Sequence, residues 1–332
     1  MFTEALSLAR SSGMTSRRRS FAAVLATLAL TSGCARPEAP PKEAPRPQAG
    51  HPLEGAIYAR EGREKLDEAR LFTSLAKRAY VLVGEKHDSV AHHAFQARVV
   101  DALGRSAPRP IVMEHFRASA QPKLDGFFGV GHRTAGDLPT EVGWDTGWGP
   151  FAMYSPIFER ALAHRMPVVA GSFDKIDVRA LVAHPELVIP EEVRRELGTV
   201  TFDDASEKAL SDELFASHCG HLPSEYLAPM ARIQHARDAL FAVAMKRAPS
   251  AVLLAGKGHT RGDRGVPRFL PPGGFLSLAL VEVEPGRVRP ADYDDLTTHD
   301  YVVFTPAAPP EEDPCAAFRS PKPTPPASKG SP

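Results

Sequence analysis

Residues 79–88 read Ala79-Tyr80-Val81-Leu82-Val83-Gly84-Glu85-Lys86-His87-Asp88. An unbroken apolar run closed by glycine and then by charge describes a strand buried on both faces, not one that alternates between core and water. The form returns at Arg109-Pro110-Ile111-Val112-Met113-Glu114, at Met166-Pro167-Val168-Val169-Ala170-Gly171 and at Ser250-Ala251-Val252-Leu253-Leu254-Ala255-Gly256. Between these runs, apolar residues at helical spacing predict helices over about 63–78, 90–104, 155–164 and 225–247. Strands that alternate with helices predict an α/β fold, a mostly parallel sheet flanked by helices. Gly274–Glu284 and Tyr301–Phe304 read as further strands near the sheet edge, where an antiparallel direction is admissible. Between the third and fourth runs no strand pattern recurs. Pro190-Glu191-Glu192 opens a helix with proline and acids in its first turn, and Asp203, Asp204 and Ser206 are candidate caps for the next. That stretch is too long for a loop and reads as a small inserted helical subdomain, about 176–235.

Composition narrows the function. The chain has 332 residues, with 40 Lys+Arg against 40 Asp+Glu, so it has no basic footprint for nucleic acid. Apolar residues make up 43%, enough to exclude a wholly disordered chain. Three cysteines are too few for a disulfide scaffold or a Cys-type zinc site. Of 32 prolines, 15 fall within residues 35–52 and 305–332. Those stretches read as a spacer and a disordered tail, which leaves 53–304 as the folded domain.

The first residues read as an address. Arg17-Arg18-Arg19 precede a short apolar run, Phe21–Leu30, then Thr31-Ser32-Gly33-Cys34. The run is too short to span a bilayer and has the form of a secretory signal. Residues 1–33 are therefore expected to be removed, from a start at Met1 or Met14. Ser-Gly-Cys resembles a bacterial lipobox, which implies lipidation of Cys34 and a membrane anchor, with 34–52 as the linker. Arg18-Arg19-Ser20-Phe21 also resembles a twin-arginine export signal. Loss of 1–33 leaves the chain at about −3, a further argument against nucleic acid. Ala35-Arg36 carries no Asp beside Cys34, which favours outer-membrane sorting. Cys315, in the tail, has no evident partner in this reading.

The chemistry gathers at strand ends. The first run closes Gly84-Glu85-Lys86-His87, the last Gly256-Lys257-Gly258-His259, and the second Glu114-His115. Ligands of open α/β sheets bind outside the carboxyl ends of parallel strands, so Glu85, His87, Glu114 and His259 are expected around one crevice. Two imidazoles with carboxylates suit a divalent metal or acid/base hydrolysis; mutual pairing of strand caps is the alternative. His92 reads as solvated or capping, whereas His93, with Gln96 and Val100 at helical spacing, faces the sheet end. Gln234, Arg237 and Asp238 share one helix face, either to buttress the site or to lock two helices. Trp144 and Trp148 stand in a Gly-rich loop that runs on to Tyr154; the loop covers a flat apolar ligand or plugs the core. A phenolate is a recognised axial ligand for ferric haem, and a satisfied core tyrosine is the other reading. Cys219, between His218 and His221, is open to three readings: a buried thiol, a pair with Cys315, or a thiolate nucleophile. There is no GxGxxG, Walker A or Gly-x-Ser-x-Gly motif.

Taken in order, these blocks resemble a family. Val83-Gly84-Glu85-Lys86-His87-Asp88 with His92-His93, Met113-Glu114, Trp144…Trp148…Tyr154-Ser155-Pro156, His218–Pro223, Gln234…Arg237-Asp238 and Gly256–Pro267 look like ChaN-type haem-binding lipoproteins of the Tiki/TraB/erythromycin-esterase-like superfamily. The resemblance covers about 53–270. It implies haem binding in envelope iron uptake, with haems stacked between two subunits of a homodimer. It carries a tyrosine ligand onto Tyr154 and porphyrin packing onto Trp148. Arg237, Arg261 and His93 are left as alternatives for the propionates. Other superfamily members imply instead a metal-dependent hydrolase, protease or esterase, that uses Glu85, His87, Glu114 and His259. Val169–Phe173 departs from the family's usual Ala-Asn at that point.

Overall fold

The computed structural model describes residues 50–60, 64–174, 188–308 and Cys315. The signal expected over 1–33, Cys34, most of the 34–52 linker, the start of the insert and nearly all of the tail lie outside the described residues. No described helix is long and apolar enough to cross a membrane.

Among the described residues two short strands come first, β1 (Ile57–Ala59) and β2 (Lys65–Leu66). Helix α1 (Glu68–Ala76) follows, capped by the Asp67 carboxylate, which accepts from the Arg70 N–H at 2.8 Å. Then come β3 (Tyr80–Glu85), α2 (Val90–Ser106), β4 (Ile111–Arg117), α3 (Gln121–Gly129), α4 (Ser155–Ala163) and β5 (Val168–Ser172). Pro156 sits in the first turn of α4, where a missing N–H costs nothing. Among the described residues, three helices follow: α5 (Glu191–Leu197), α6 (Asp204–Ser217, capped by Asp203) and α7 (Ser224–Lys246). The described residues close with β6 (Ala251–Gly256), β7 (Phe275–Glu282) and β8 (Tyr301–Thr305).

The strands form one sheet in the order β2-β1-β8-β7-β3-β6-β4-β5. From β8 to β5 every pairing is parallel. This differs from the antiparallel direction admitted for β7 and β8. The connections 257–274 and 283–300 are long enough for the crossovers that parallel pairs need. The antiparallel strands are β1 and β2, at one edge.

The alternation of side chains along each strand divides the interior in two. Val81, Val83, Ile111, Met113 and Leu254 pack toward α1, α2 and α4. Leu82, Val112, Leu253 and Ala255 pack toward Phe241, Ala242 and Met245 of α7. Both faces are covered, so the strands read as continuous apolar runs. Each fully buried Leu or Phe stabilises by about 1.5–3 kcal/mol before the entropy of ordering it. Most important for the site, β6 inserts between β3 and β4. The two strands that end Gly-x-x-His are therefore neighbours, with Glu85 level with Gly256.

A disulfide joins Cys219 to Cys315. It bears out the Cys219–Cys315 pair among the three readings of Cys219, removes the buried-thiol and thiolate-nucleophile readings, and gives Cys315 the partner its place in the tail did not suggest. The loop at Cys219 has φ 60°, followed by Gly220 at 72°, the left-handed turn that ends α6.

Candidate functional site

The carboxyl ends of β3, β6 and β4 meet in a polar cluster that straddles the sheet. The ladder between β4 and β5 shifts register between Met113 and Arg117, and within that irregular stretch Glu114 and His115 point to opposite faces. Glu85, like Val81 and Val83 before it, faces α2 and α4. Glu114 faces α7.

On the α2 and α4 side, Glu85 is buried among imidazoles. Its Oε1 lies 2.8 Å from His87 Nδ1 and 3.1 Å from His115 Nε2, and its Oε2 lies 3.3 Å from His93 Nε2. Burial works against its charge, yet the hydrogen bonds from His115 and His87, with the His93 imidazole close by, hold its carboxyl well below the usual range. Trp144 stacks on His115 with ring planes 12° apart, and Trp148 lies 4.8 Å from the His87 ring. Tyr154 is fully buried against His93 and His115, and its hydroxyl donates to the His87 carbonyl oxygen at 2.8 Å. Burial and the nearby Glu85 raise its phenol above the ordinary value.

On the α7 side, Glu114 Oε1 accepts from Arg237 at 2.5 Å and its Oε2 from the Gly256 N–H at 2.8 Å. His259 Nε2 stands 3.6 Å from Glu114, and its Nδ1 is 2.6 Å from Asp238. Burial opposes a charged imidazole, but Asp238 and Glu114 outweigh it and raise His259 to about 9. Burial likewise raises Asp238, against the pull of His259. Glu114 stays well below the carboxylate range; burial works to raise it, and His259, Arg237 and His87 prevail. A cavity of about 40 Å³ borders His259 and Asp238, room for a water.

His87 joins the two halves. Its Nδ1 meets Glu85 on one side, and its Nε2 lies 3.7 Å from Glu114 on the other. With a side chain 37% exposed, it is the cluster's opening to solvent. Burial lowers its pKa and the two carboxylates raise it, with a net rise. The motif glycines explain the close fit. A Cβ on Gly84 would meet the Lys257 Cα at 2.7 Å, and one on Gly256 would meet His87 Nε2 at 3.1 Å. Each motif's glycine makes room for the other motif.

The structure thus brings Glu85, His87, Glu114, His259, His93, Arg237, Tyr154 and Trp148 together. Arg261 is taken up by Asp263 at 2.9 and 2.6 Å. His92, expected to be solvated or capping, is buried rather than solvated: its Nδ1 accepts the Lys86 N–H just before α2 and its Nε2 meets Thr305 Oγ1 at 3.0 Å. His115 was not among the expected site residues, although it closes the same strand as Glu114. Glu85, His87 and His115 place one donor atom each within 4.8 Å of one another. Glu85 Oε2 and both nitrogens of His93 are buried without a hydrogen-bond partner. Imidazoles with a carboxylate suit a divalent cation, and such orphaned atoms are what a bound ion would satisfy.

Residues 71–270, from α1 through the second Gly-x-x-His, match the sequence model of a family described as haem-binding uptake, Tiki superfamily, ChaN. The chain belongs to that ChaN family. Among solved structures, one of cofacial haem binding to ChaN of Campylobacter jejuni is similar at a TM-score of 0.57 and 21% identity, covering 74% of this chain and 95% of that one. The type III effector HopBA1 (TM-score 0.41, 13% identity, 71% and 91% covered) is more distant. So is RRSP, a MARTX toxin effector domain of Vibrio vulnificus CMCP6 (0.37, 18%, 66% and 38%). No curated protein matches. The likeness to the Campylobacter ChaN shows a shared fold, and the family match spans both halves of the polar cluster.

Proposed function

We propose that this ChaN-family protein binds haem as a lipid-anchored carrier of the bacterial envelope, in haem and iron uptake. One observation carries the reading: residues 71–270, which hold the whole strand-end cluster, match a haem-binding uptake family. The rim of the cluster fits the group. His87 is a partly exposed imidazole, a recognised donor to haem iron. Trp148 beside it offers an apolar face, and Arg237, partly exposed at 27% and bound to Glu114 through Nη2 alone, keeps further N–H groups for a propionate. Bound haem would supply a redox-active iron; the residues named here orient it and neutralise its charge. Tyr154 as arranged has no open oxygen, because its hydroxyl is buried on the His87 carbonyl. It becomes a ligand only if the loop from Trp144 to Tyr154 swings out. His93, wholly buried, and Arg261, held by Asp263, are less suited to propionates. The Cys219–Cys315 disulfide supports an oxidising compartment, in keeping with export and an anchor at Cys34. A homodimer that sandwiches haem belongs to the same proposal.

A haemin titration of the mature chain, followed by absorbance, tests it. The expected result is a saturable Soret shift, weakened at least tenfold by His87→Ala and kept by Tyr154→Phe. No saturable shift in the unsubstituted chain overturns haem binding. Loss with Tyr154→Phe alone transfers the iron to Tyr154.

A second reading rests on the Glu85, His87 and His115 donor set: a divalent cation site serving hydrolysis, with Glu114 and the His259–Asp238 pair as acid/base groups. It requires about one equivalent of metal by elemental analysis, lost in His115→Ala.

A further inference from the structure

A cavity of about 450 Å³ opens among α5, the loop after it, α6 and α7. No residue of the strand-end cluster lines it. Its volume lies in the range of pockets that hold small organic ligands. Leu197, Val200, Phe202 and Ala231 make an apolar part of the wall, with Ser211 a small polar one. One wall is fixed in advance. The buried His235 ring stacks on Phe202 with centroids 3.8 Å apart and planes at 16°, and its Nε2 is 2.8 Å from Glu207. Glu207, the acid among the lining residues, is therefore already engaged. Arg232 is not. It is exposed and lines the cavity, and its guanidinium has no ion pair or hydrogen bond among the described residues.

We infer that this cavity binds a small organic acid, its aryl or medium-chain alkyl body against Phe202 and Leu197 and its carboxylate on Arg232. A planar guanidinium without a partner beside apolar walls matches a carboxylate at the end of an apolar body. A phosphate would leave the walls unused, and a macromolecule would not enter the cavity.

Calorimetric titration of the full chain with 4-phenylbutyrate, and separately with 4-phenylbutanol, tests this. The acid is expected to bind saturably and the alcohol at least tenfold more weakly. Arg232→Leu should weaken the acid about tenfold, the scale of a hydrogen bond to a charged group, and leave the alcohol unchanged. Ala228→Trp, on the exposed lip of α7, should weaken both while unfolding and the haemin titration stay as they were. No saturable binding of the acid overturns the inference, as does an equal loss of acid and alcohol in Arg232→Leu. Competition between haemin and the acid, lost together in Arg232→Leu, would make this the haem pocket and equally overturn a separate site.

Discussion

Gly84→Ala asks whether the two Gly-x-x-His motifs truly shape one another. The added methyl would collide with Thr260 Oγ1 and sit 2.7 Å from Lys257 Cα and 2.9 Å from Lys257 Cβ. Ordinary carbon contacts lie at about 3.5–4.0 Å, so roughly 1 Å of movement is needed. Strand β3 is clamped between β6 and β7; the turn 257–260 must yield. Thr260 is held by His299 and the Lys257 carbonyl, so rotation of its hydroxyl breaks bonds rather than relieving the clash. Overpacking alone costs about 1–3 kcal/mol. The moving turn also pulls the Gly256 N–H from Glu114, a bond to a buried charge of about 1.5–3 kcal/mol. With partial relaxation, the loss should be about 3 kcal/mol. Urea unfolding followed by far-UV circular dichroism measures it. Gly126→Ala is the control: its Cβ meets nothing within 4 Å inside α3, and it should gain about 0.5–1 kcal/mol. A Gly84→Ala loss under about 0.5 kcal/mol would refute the reasoning, because the turn would then float free of β3.

His259, raised from 6.5 to about 9, makes stability depend on pH: its contribution is complete below about 6.5 and disappears as pH rises through 9. Unfolding at pH 6.5 and 9.5 should differ by up to about 3 kcal/mol from this group, and parallel profiles for His259→Asn and the unsubstituted chain would sink the assignment. Tyr154→Phe removes the donor to a buried carbonyl and should cost about 1–2 kcal/mol, read by the same urea titration. Cys315→Ser opens a ring across 96 positions and should cost about 2–4 kcal/mol; insensitivity of the unfolding midpoint to thiol would contradict this. Because haem and a divalent cation would both need His87, zinc added in excess should suppress the haemin titration, and simultaneous full occupancy would show that the sites are distinct.

The central strands were legible because burial on both faces leaves continuous apolar runs, as at Tyr80–Val83 and Ala251–Ala255. Helices α2, α4 and α7 were legible from their period. The sheet order was not: nothing local in Ala251–Gly256 says that it slots between β3 and β4, since that pairing is made across more than a hundred residues of chain. Strands β1 and β2, three and two residues long, are too short to carry a pattern. His115 escaped because only Glu114 of the closing Glu114-His115 pair was placed in the crevice; the strand runs on to Arg117, its side chains alternate between faces, and His115 meets Glu85 on the face that Glu114 does not share. Gly-x-x-His repeated at two strand ends was signal enough to gather Glu85, His87, Glu114 and His259. That Asp238 would meet His259, and Arg237 would meet Glu114, depends on how α7 lies, which its charged face could suggest but not decide.

The Cys219–Cys315 link also has a topological meaning. The covalent ring it closes contains α7, β6, β7 and β8, so it encloses the strand on which the sheet's order turns. One proteolytic cut between residues 220 and 314 would leave a single species on a non-reducing gel and two on a reducing one. The ring can close only after residue 315 has been made and has reached an oxidising space. A chain truncated before that residue would reach the same space with Cys219 as an orphan thiol, open to mispairing with another chain.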